Sequence, residues 1–453
     1  MRRPLAGLAL LSGAVATFAA FAACTATGEI DPSRQESIDP TDSGSTVLGD
    51  ADVQPRDASS DLGLGETPIC SPAGWCRTEL PAPELSLTDV WPVGSRAFAI
   101  ATSAAQGIKY LEWDATDGWK FIDKKLGFGN LVSPANVWAP DEDEVFVALT
   151  DLSGFIGGGK IGALVMRGTR PTPPETAWSW TRSRIDCPDL NTTRVAPTLW
   201  GVSRDEVYTA VCGNVYRLNR NASVGDAGVD GGDAGEDGGT TTGDGWELEY
   251  TDGDPQFHSW QAIAGTGTGD VWFAGARAVG LNQCVVLIRK TSEGYSTVID
   301  GVPKAGEVCV AKDGIAMIPG RLHRIDAPAK DRLVAVHAIG WSPAVDNDMV
   351  QVTVVGAEPQ IERTGPASTM DVVLTDVWAK SLDELWVLAS RTLNGPGIIL
   401  RASSPWENAG KFEFSTLAIN GAPNTSRLSR IRGTSKQNIW AVGGDRAYFK
   451  STP

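Results

Sequence analysis

The protein has 453 residues, of which 42% are hydrophobic, and a formal net charge of −16. A chain of this length and apolar content can bury a large core, so we expect one folded domain with a tail. The acidic balance leaves no basic footprint, which argues against nucleic acid or an anionic lipid surface as a partner.

Residues 1–23 have the three-part layout of a secretory signal peptide. Arg2 and Arg3 precede an apolar run from Leu5 to Ala22, and Cys24 follows. The segment resembles a bacterial lipoprotein signal, which implies that Cys24 is lipidated and becomes the mature N-terminus. We therefore expect a lipid-anchored protein of the cell envelope, at the outer membrane. The alternative is ordinary cleavage near Ala20 to Ala22 and a secreted protein; a membrane-spanning helix is not expected, because polar residues follow at once.

Two acidic segments are expected to lie outside the core. Residues 24–69 are rich in Asp, Ser, Gly, Pro and Thr, with ten acidic and two basic side chains, and are predicted to form a disordered tether. Residues 221–244 carry six acidic side chains and no basic one, and are predicted to be a flexible insertion in a hairpin. The seven-residue repeat within this segment has no recurring large apolar residue, unlike calcium-binding β-rolls. We expect no cofactor, with loose calcium binding as the alternative.

A pair of apolar positions recurs seven times between residues 89 and 440. An aliphatic residue precedes every anchor position, and an apolar residue, aromatic in six of the seven repeats, follows seven or eight positions later. The anchors are Trp91, Trp138, Trp200, Ala264, Asp326, Trp378 and Arg432. Their spacings of 47 to 64 residues suit four short strands per unit. The pattern predicts an all-β, seven-bladed β-propeller of four-stranded antiparallel blades over residues 70–453.

The ends of the chain are predicted to share one blade. The seventh repeat stops after its third strand, whereas Gly74 to Leu80 looks like an isolated fourth strand. Pairing the two removes two exposed sheet edges and closes the ring.

The repeat motifs Leu374 to Trp386 and Asn438-Ile-Trp-Ala-Val-Gly443 resemble those of exported bacterial lipoproteins predicted to be seven-bladed propellers, distantly similar to Asp-box and WD-repeat propellers. The resemblance covers about residues 70 to 453 and implies a fold and a location. Most such proteins have no assigned activity, so it implies little about function.

Seven cysteines leave six once Cys24 is assigned to the lipid. An exported protein meets an oxidising compartment, so we expect three disulfides between sequence neighbours. The expected pairs are Cys70 with Cys76, Cys187 with Cys212, and Cys284 with Cys309. None has zinc-site spacing, and no metal site is expected.

The position two residues before each anchor is polar in six of seven repeats. These residues are Asp89, Asn136, Thr198, Ala262, Arg324, Asp376 and Arg430. If the first strand of each blade lines the channel, they form a ring in which Asp376 lies between Arg324 and Arg430, and Arg430 lies beside Asp89. The ring is interpreted as a structural ion-pair network, with a small-ligand or ion site at the channel mouth as the alternative.

The familiar catalytic motifs are absent. The sequence has no His-Glu-x-x-His motif, Gly-x-Ser-x-Gly elbow, phosphate loop or dinucleotide fingerprint. The three histidines, His258, His323 and His337, are expected to be structural, although His323 and His337 share one repeat.

We therefore expect a surface-tethered, non-catalytic binding or scaffold module that recognises an unknown protein or polysaccharide at the cell envelope, as a monomer. The expected recognition loops join strands b to c and d to a, and include Leu149 to Lys160, Gly275 to Gln283 and Ala389 to Gly397. The alternative is a sialidase-like or other glycan-active propeller enzyme, which would need arginines and acids to converge on one face.

Overall fold

The computed structural model describes residues 69–450, except 124–131, 155–159, 188–195, 221–244, 255–256, 305–306, 340–346, 357, 368–369, 393 and 408–409. The expected signal peptide, Cys24, the tether up to residue 68 and the acidic insertion lie outside the described residues. In the described part, no helix is long and apolar enough to cross a bilayer.

The described chain forms 29 strands. In the first half they are β1 (Trp75–Thr78), β2 (Ser86–Val93), β3 (Arg96–Ser103), β4 (Gly107–Asp114), β5 (Gly118–Phe121), β6 (Val132–Asp141), β7 (Glu144–Asp151), β8 (Gly162–Thr169), β9 (Ser179–Asp186), β10 (Thr198–Ser203), β11 (Glu206–Val211), β12 (Asn214–Asn219) and β13 (Gly245–Thr251). In the second half they are β14 (Phe257–Gly267), β15 (Asp270–Val279), β16 (Asn282–Thr291), β17 (Gly294–Lys304), β18 (Glu307–Ala311), β19 (Arg321–Ala329), β20 (Arg332–Ala338), β21 (Asn347–Val355), β22 (Glu358–Thr364), β23 (Val373–Ser381), β24 (Glu384–Ser390), β25 (Gly397–Ser403), β26 (Lys411–Ser415), β27 (Arg430–Ser435), β28 (Asn438–Gly443) and β29 (Arg446–Lys450).

These strands build seven antiparallel sheets in sequence order, so the predicted seven-bladed propeller is confirmed. We name the strands of each blade a to d from the channel outward. Strand a is β2, β6, β10, β14, β19, β23 and β27 in blades one to seven. Blade four has a fifth strand, β18, which the sequence analysis did not predict.

The second strand of each blade is the most deeply buried. Every residue of β7, β11 and β24 is buried, because strand b is covered on both faces by the neighbouring blades. A strand covered on both sides reads as a continuous apolar run, and this explains why the repeat is clearest there. The outer strands β9, β22 and β26 alternate or are largely exposed, as expected at a rim.

The hydrophobic core lies between the blades. The apolar clusters of the described residues each join two adjacent blades around the whole ring. One cluster unites Leu85 and Trp119 of blade one with Trp440 and Ala447 of blade seven. The ring is therefore closed by apolar packing as well as by hydrogen bonds.

Anchor tryptophans pack against the next blade at glycine. A Cβ placed on Gly201, Gly265 or Gly433 would come within 2.8 Å of the indole of the preceding blade's anchor. The indoles involved are those of Trp138, Trp200 and Trp378. The anchors are thus packing residues between blades, and the glycine that follows an anchor is needed for close approach.

Replacing Gly433 by alanine is expected to destabilise the protein by about 1–3 kcal/mol, because the new methyl group overlaps the Trp378 indole in a packed interface. Chemical denaturation of Gly433→Ala measures the loss. Gly253→Ala is the matched control, since a Cβ there meets nothing within 4 Å. Equal free energies of unfolding for the two variants would contradict the packing role.

The N-terminal strand completes blade seven, as predicted. Strand β1 pairs antiparallel with β29, with Trp75 opposite Lys450 and Thr78 opposite Ala447. Trp75 is fully buried, its ring lies 5.8 Å from that of Trp386, and its Nε1 donates to Ser415 Oγ at 2.9 Å. The closing strand is therefore bound to two blades.

The three expected cysteine pairs are disulfide-bonded in the structure. Cys70 is joined to Cys76 at the start of β1, Cys187 to Cys212 in the second and third blades, and Cys284 to Cys309 in the fourth. The last bond links β16 to β18, the additional strand of blade four.

Blade four also contains a buried cluster of charges. Arg277 donates to both oxygens of Asp300 at 2.8 and 2.9 Å, and to both oxygens of Asp252 at 2.9 Å. The side chain of Arg277 is only 2% exposed.

The recognition loop expected at Gly275 to Gln283 is not a loop. Strands β15 and β16 continue through it to a tight turn at Gly280 and Leu281, because their ladder extends to Val279 and Asn282 and Arg277 is fixed by its two carboxylates.

Candidate functional site

The first strands of the blades line a central channel with a cavity at each end. The cavity at the end where these strands begin has a volume of about 590 Å³, and we call it the loop-side cavity. The cavity at the a–b turns has a volume of about 370 Å³, and we call it the turn-side cavity. Asn136, Thr198 and Arg324 line both cavities and so mark the level at which they meet.

A β-bulge precedes the polar ring in most blades. The a–b register shifts between Leu87 and Asp89, and again between Leu322 and Arg324. Equivalent shifts occur in blades two, four and six. A bulge adds one unpaired residue and redirects its side chain. In blade five the added residue is His323, which lines the loop-side cavity.

Asp89 joins three blades at the channel. Its Oδ1 accepts from Arg430 Nε of blade seven at 3.1 Å. Its Oδ2 accepts from the backbone nitrogen of Val137 at 3.0 Å and from Asn136 Nδ2 at 3.4 Å, both in blade two. Asp89 is 3% exposed, so its charge is held by these partners and stabilises the contact between blades.

Asp376 has a corresponding role between blades six and seven, but with a different arginine from the one expected. It accepts from Ile431 N at 2.8 Å and from Arg432 Nη1 at 2.9 Å, and Arg324 Nε lies 4.0 Å away. The repeat spacing predicts Arg430 beside Asp376. Residues i and i+2 of a strand face the same side, so Arg430 and Arg432 both enter the channel and divide the two carboxylates between them.

Asp326 shows the same effect in blade five. Although it occupies an anchor position, it lines the turn-side cavity. Its oxygens accept from Ala379 N at 2.7 Å and from Ala327 N at 2.9 Å. Burial raises the pKa of Asp326 to about 6. Asp326 and Arg432 are charged residues at anchor positions that are aromatic in most other blades. This difference was the sequence signal that the channel is also lined by charged residues at the anchor position.

The loop-side cavity is rich in positive charge. Arg321, Arg324 and Arg430 line it together with His323. Burial, reinforced by nearby Arg430, lowers the pKa of Arg324 to about 9, and burial also lowers the pKa of Arg321. The shift of Arg324, whose nearest carboxylate is Asp376 at 4.0 Å, indicates a guanidinium group that is only partly compensated.

The histidine pair suggested by the shared repeat has two different environments. His337 is fully buried, with Nδ1 2.6 Å from Asp348 Oδ1 and Nε2 2.6 Å from the carbonyl oxygen of Pro319. His323 faces the cavity, and its Nδ1 is buried without a hydrogen-bond partner. Burial and the neighbouring arginines hold the pKa of His323 well below its usual value.

The stability that neutral His323 contributes is expected to be lost in acid. Its folded-state pKa lies below the unfolded value of about 6.5, so only the unfolded chain takes up this proton as the pH falls below 6.5. The melting temperature of the unmodified protein should therefore fall, relative to that of His323→Gln, between pH 7.5 and pH 5. Asp326 is common to both proteins, so its opposite effect cancels in the difference. If the difference in melting temperature between the two proteins stayed constant across this range, His323 would not be held neutral in the folded state.

No group of three or more His, Cys, Asp or Glu side chains that could hold a metal ion occurs within the described ranges. The Asp114 to Trp119 segment is a turn, in which Asp114 Oδ1 accepts from Thr116 N at 3.0 Å and Asp117 N at 2.8 Å. Asp114 therefore has a local structural role in the turn between β4 and β5.

No family model and no curated protein matches the sequence. Solved structures with a similar fold include "YCF48 bound to D1 peptide", at 11% identity and a TM-score of 0.48, covering 85% of this chain and 98% of that one. A SapL1 lectin in complex with alpha methyl fucoside matches at 9% identity and a TM-score of 0.38, covering 74% and 96%. The polysaccharide lyase Uly1 matches at 9% identity and a TM-score of 0.35, covering 74% and 93%. At these identities and scores the matches carry no argument about ligand or activity.

Proposed function

We propose that the protein is a surface-tethered, non-catalytic binding module that recognises a protein or polysaccharide at the cell envelope. The observation that carries the proposal is the loop-side cavity on the closed ring, which has a volume of about 590 Å³ and charged, polar and apolar side chains in its wall. Its volume falls within the range of about 300–1,000 Å³ that is usual for ligand sites. The fixed strands around it would present a preorganised surface.

The engagement of the channel carboxylates supports a non-catalytic role. Asp89, Asp376 and Asp326 all accept backbone N–H groups of a neighbouring blade. A carboxylate fixed in this way links blades and is poorly placed to give or take a proton during a reaction. Among the described residues that line the two cavities there is no tyrosine that could act as a nucleophile.

One observation favours glycan hydrolysis or lysis as a second candidate. Arg324, Arg430 and Arg432 lie close to the carboxylates of Asp89 and Asp376. A glycan-active enzyme would need such a convergence of arginines and acids. The experiment must therefore score binding and turnover together.

The purified protein is to be applied to an array of glycans, polysaccharides and envelope proteins, with retention and product release measured on the same samples. We expect retention without shortened products. Product release would support the enzyme instead. If no sample is retained and no product is released, recognition by this face is refuted.

The tether belongs to the same proposal. Lipidated Cys24 would anchor the protein at the outer membrane, and residues 24–69 would form the tether between the lipid and the ring. Cys24→Ser is expected to move the protein from the membrane fraction to the soluble fraction without changing its melting temperature. A Cys24→Ser variant that stayed in the membrane fraction would refute the lipid anchor, and an unmodified protein found in the soluble fraction would favour the secreted form.

A further inference from the structure

The loop-side cavity brings three guanidinium groups to one mouth of the channel. Arg321 begins strand β19, Arg324 follows the bulge of the same strand, and Arg430 begins β27. A loop-side ligand would therefore meet cations from two blades before it met the carboxylates below.

The carboxylates near these arginines are already engaged. Asp89 accepts from Arg430 at 3.1 Å, and Asp376 accepts from Arg432 at 2.9 Å, while Arg324 is 4.0 Å from Asp376. Arg324 Nε is buried without a hydrogen-bond partner, as is His323 Nδ1. Arg324 Nη1 donates to the carbonyl oxygen of His323 at 2.9 Å, and an anion in the cavity would add an acceptor for the same guanidinium group.

The uncharged part of the lining is rich in hydroxyl and amide groups. It includes Ser133, Thr150, Thr198, Ser259 and Gln261. Thr198 Oγ1 is itself buried without a partner. Hydroxyl and amide side chains suit a ligand that carries its own hydroxyl groups as well as one negative charge.

We infer that the loop-side cavity binds the carboxylate of an acidic sugar, with Arg324 and Arg321 as the anion-binding residues. The inference rests on the proposed binding function and specifies its ligand class as a uronic-acid residue of a polysaccharide. Arginine suits the task because its planar guanidinium can donate two parallel hydrogen bonds to one carboxylate. Arg430 is paired with Asp89, so it would line the site without binding the carboxylate of the ligand.

The test is calorimetric titration of the full protein with trigalacturonate. Its methyl-esterified form tests the need for charge, and an acetylated tripeptide with a free C-terminal carboxylate tests the alternative source of that group. We expect trigalacturonate to bind, the ester not to bind, and the affinity to fall with added salt. Arg324→Gln and Arg321→Gln should each weaken binding about tenfold or more.

The matched control is Lys330→Gln, which removes one positive charge at the opposite end of β19, in the a–b turn of the same blade. It should bind like the unmodified protein. Thermal melts establish that each variant is folded, and if Arg324→Gln fails to fold, Arg321→Gln alone decides the result.

Equal binding of the ester would overturn the assignment of a carboxylate. Arginine-dependent binding of the tripeptide but not of trigalacturonate would overturn the sugar. Binding that neither variant weakens would place the ligand elsewhere on the ring, which overturns this inference but leaves the proposed binding function intact.

Discussion

Replacing Trp75 by alanine is expected to lower the free energy of unfolding by about 3–5 kcal/mol, the usual cost of truncating a buried aromatic side chain. Trp75 is fully buried in the last blade, packs against Trp386 of blade six and donates to Ser415. Deletion of Gly74 to Leu80 should cost still more, because the edge of β29 then loses its partner strand. Denaturant unfolding followed by fluorescence and circular dichroism measures both effects.

The matched control is Phe414→Ala in β26, an aromatic residue that also lies on an outer strand but is 56% exposed. Its effect should be small, as for most exposed positions. If the shortened chain melted at the temperature of the complete one, the ring would not depend on its N-terminal strand.

Replacing Arg277 by methionine is expected to cost about 3–5 kcal/mol, because it leaves the buried carboxylate of Asp252 without its cation and leaves Asp300 with Lys312 alone, 3.6 Å away. The side chains of Asp252 and Asp300 are only 5% and 6% exposed. The loss should be recovered in part in the triple variant Arg277→Met, Asp252→Asn, Asp300→Asn, in which no charge is left unpaired.

Arg363→Met provides the comparison for this cluster. Arg363 also pairs with an aspartate, but its side chain is 41% exposed, and such pairs contribute at most about 1 kcal/mol. Similar losses for Arg277→Met and Arg363→Met, measured by chemical denaturation, would show that burial does not determine the strength of the Arg277 cluster.

The ring could be predicted from the sequence because its determinants recur. Each anchor lies opposite the expected second position in the ladder, as Trp138 does Phe146 and Trp378 does Trp386. Even the irregular fifth repeat keeps this register, with Asp326 opposite Val334. Interfaces between blades impose the same burial on every repeat, so the pattern survives changes of residue.

The site was predicted only in part. Five of the six polar ring residues line the channel cavities, whereas Asp376 is fully buried. Which arginine pairs with a given carboxylate depends on which of two residues on the same side of a strand reaches it, and spacing alone does not determine this. The bulge that directs His323 into the cavity has no sequence signal comparable to a turn motif. Arg321 belongs to no repeat position and could be identified only from the structure.

The position of β1 also determines how the ring would respond to mechanical load. Ile69 accepts from Arg77 N at 3.3 Å, so a force applied along the chain from the residues before Ile69 would reach this bond first and then the hydrogen bonds between β1 and β29. The disulfide between Cys70 and Cys76 limits how far the start of this strand can extend. A pull on the N-terminal segment would therefore test the seam in blade seven, and through Trp75 it would also load blade six.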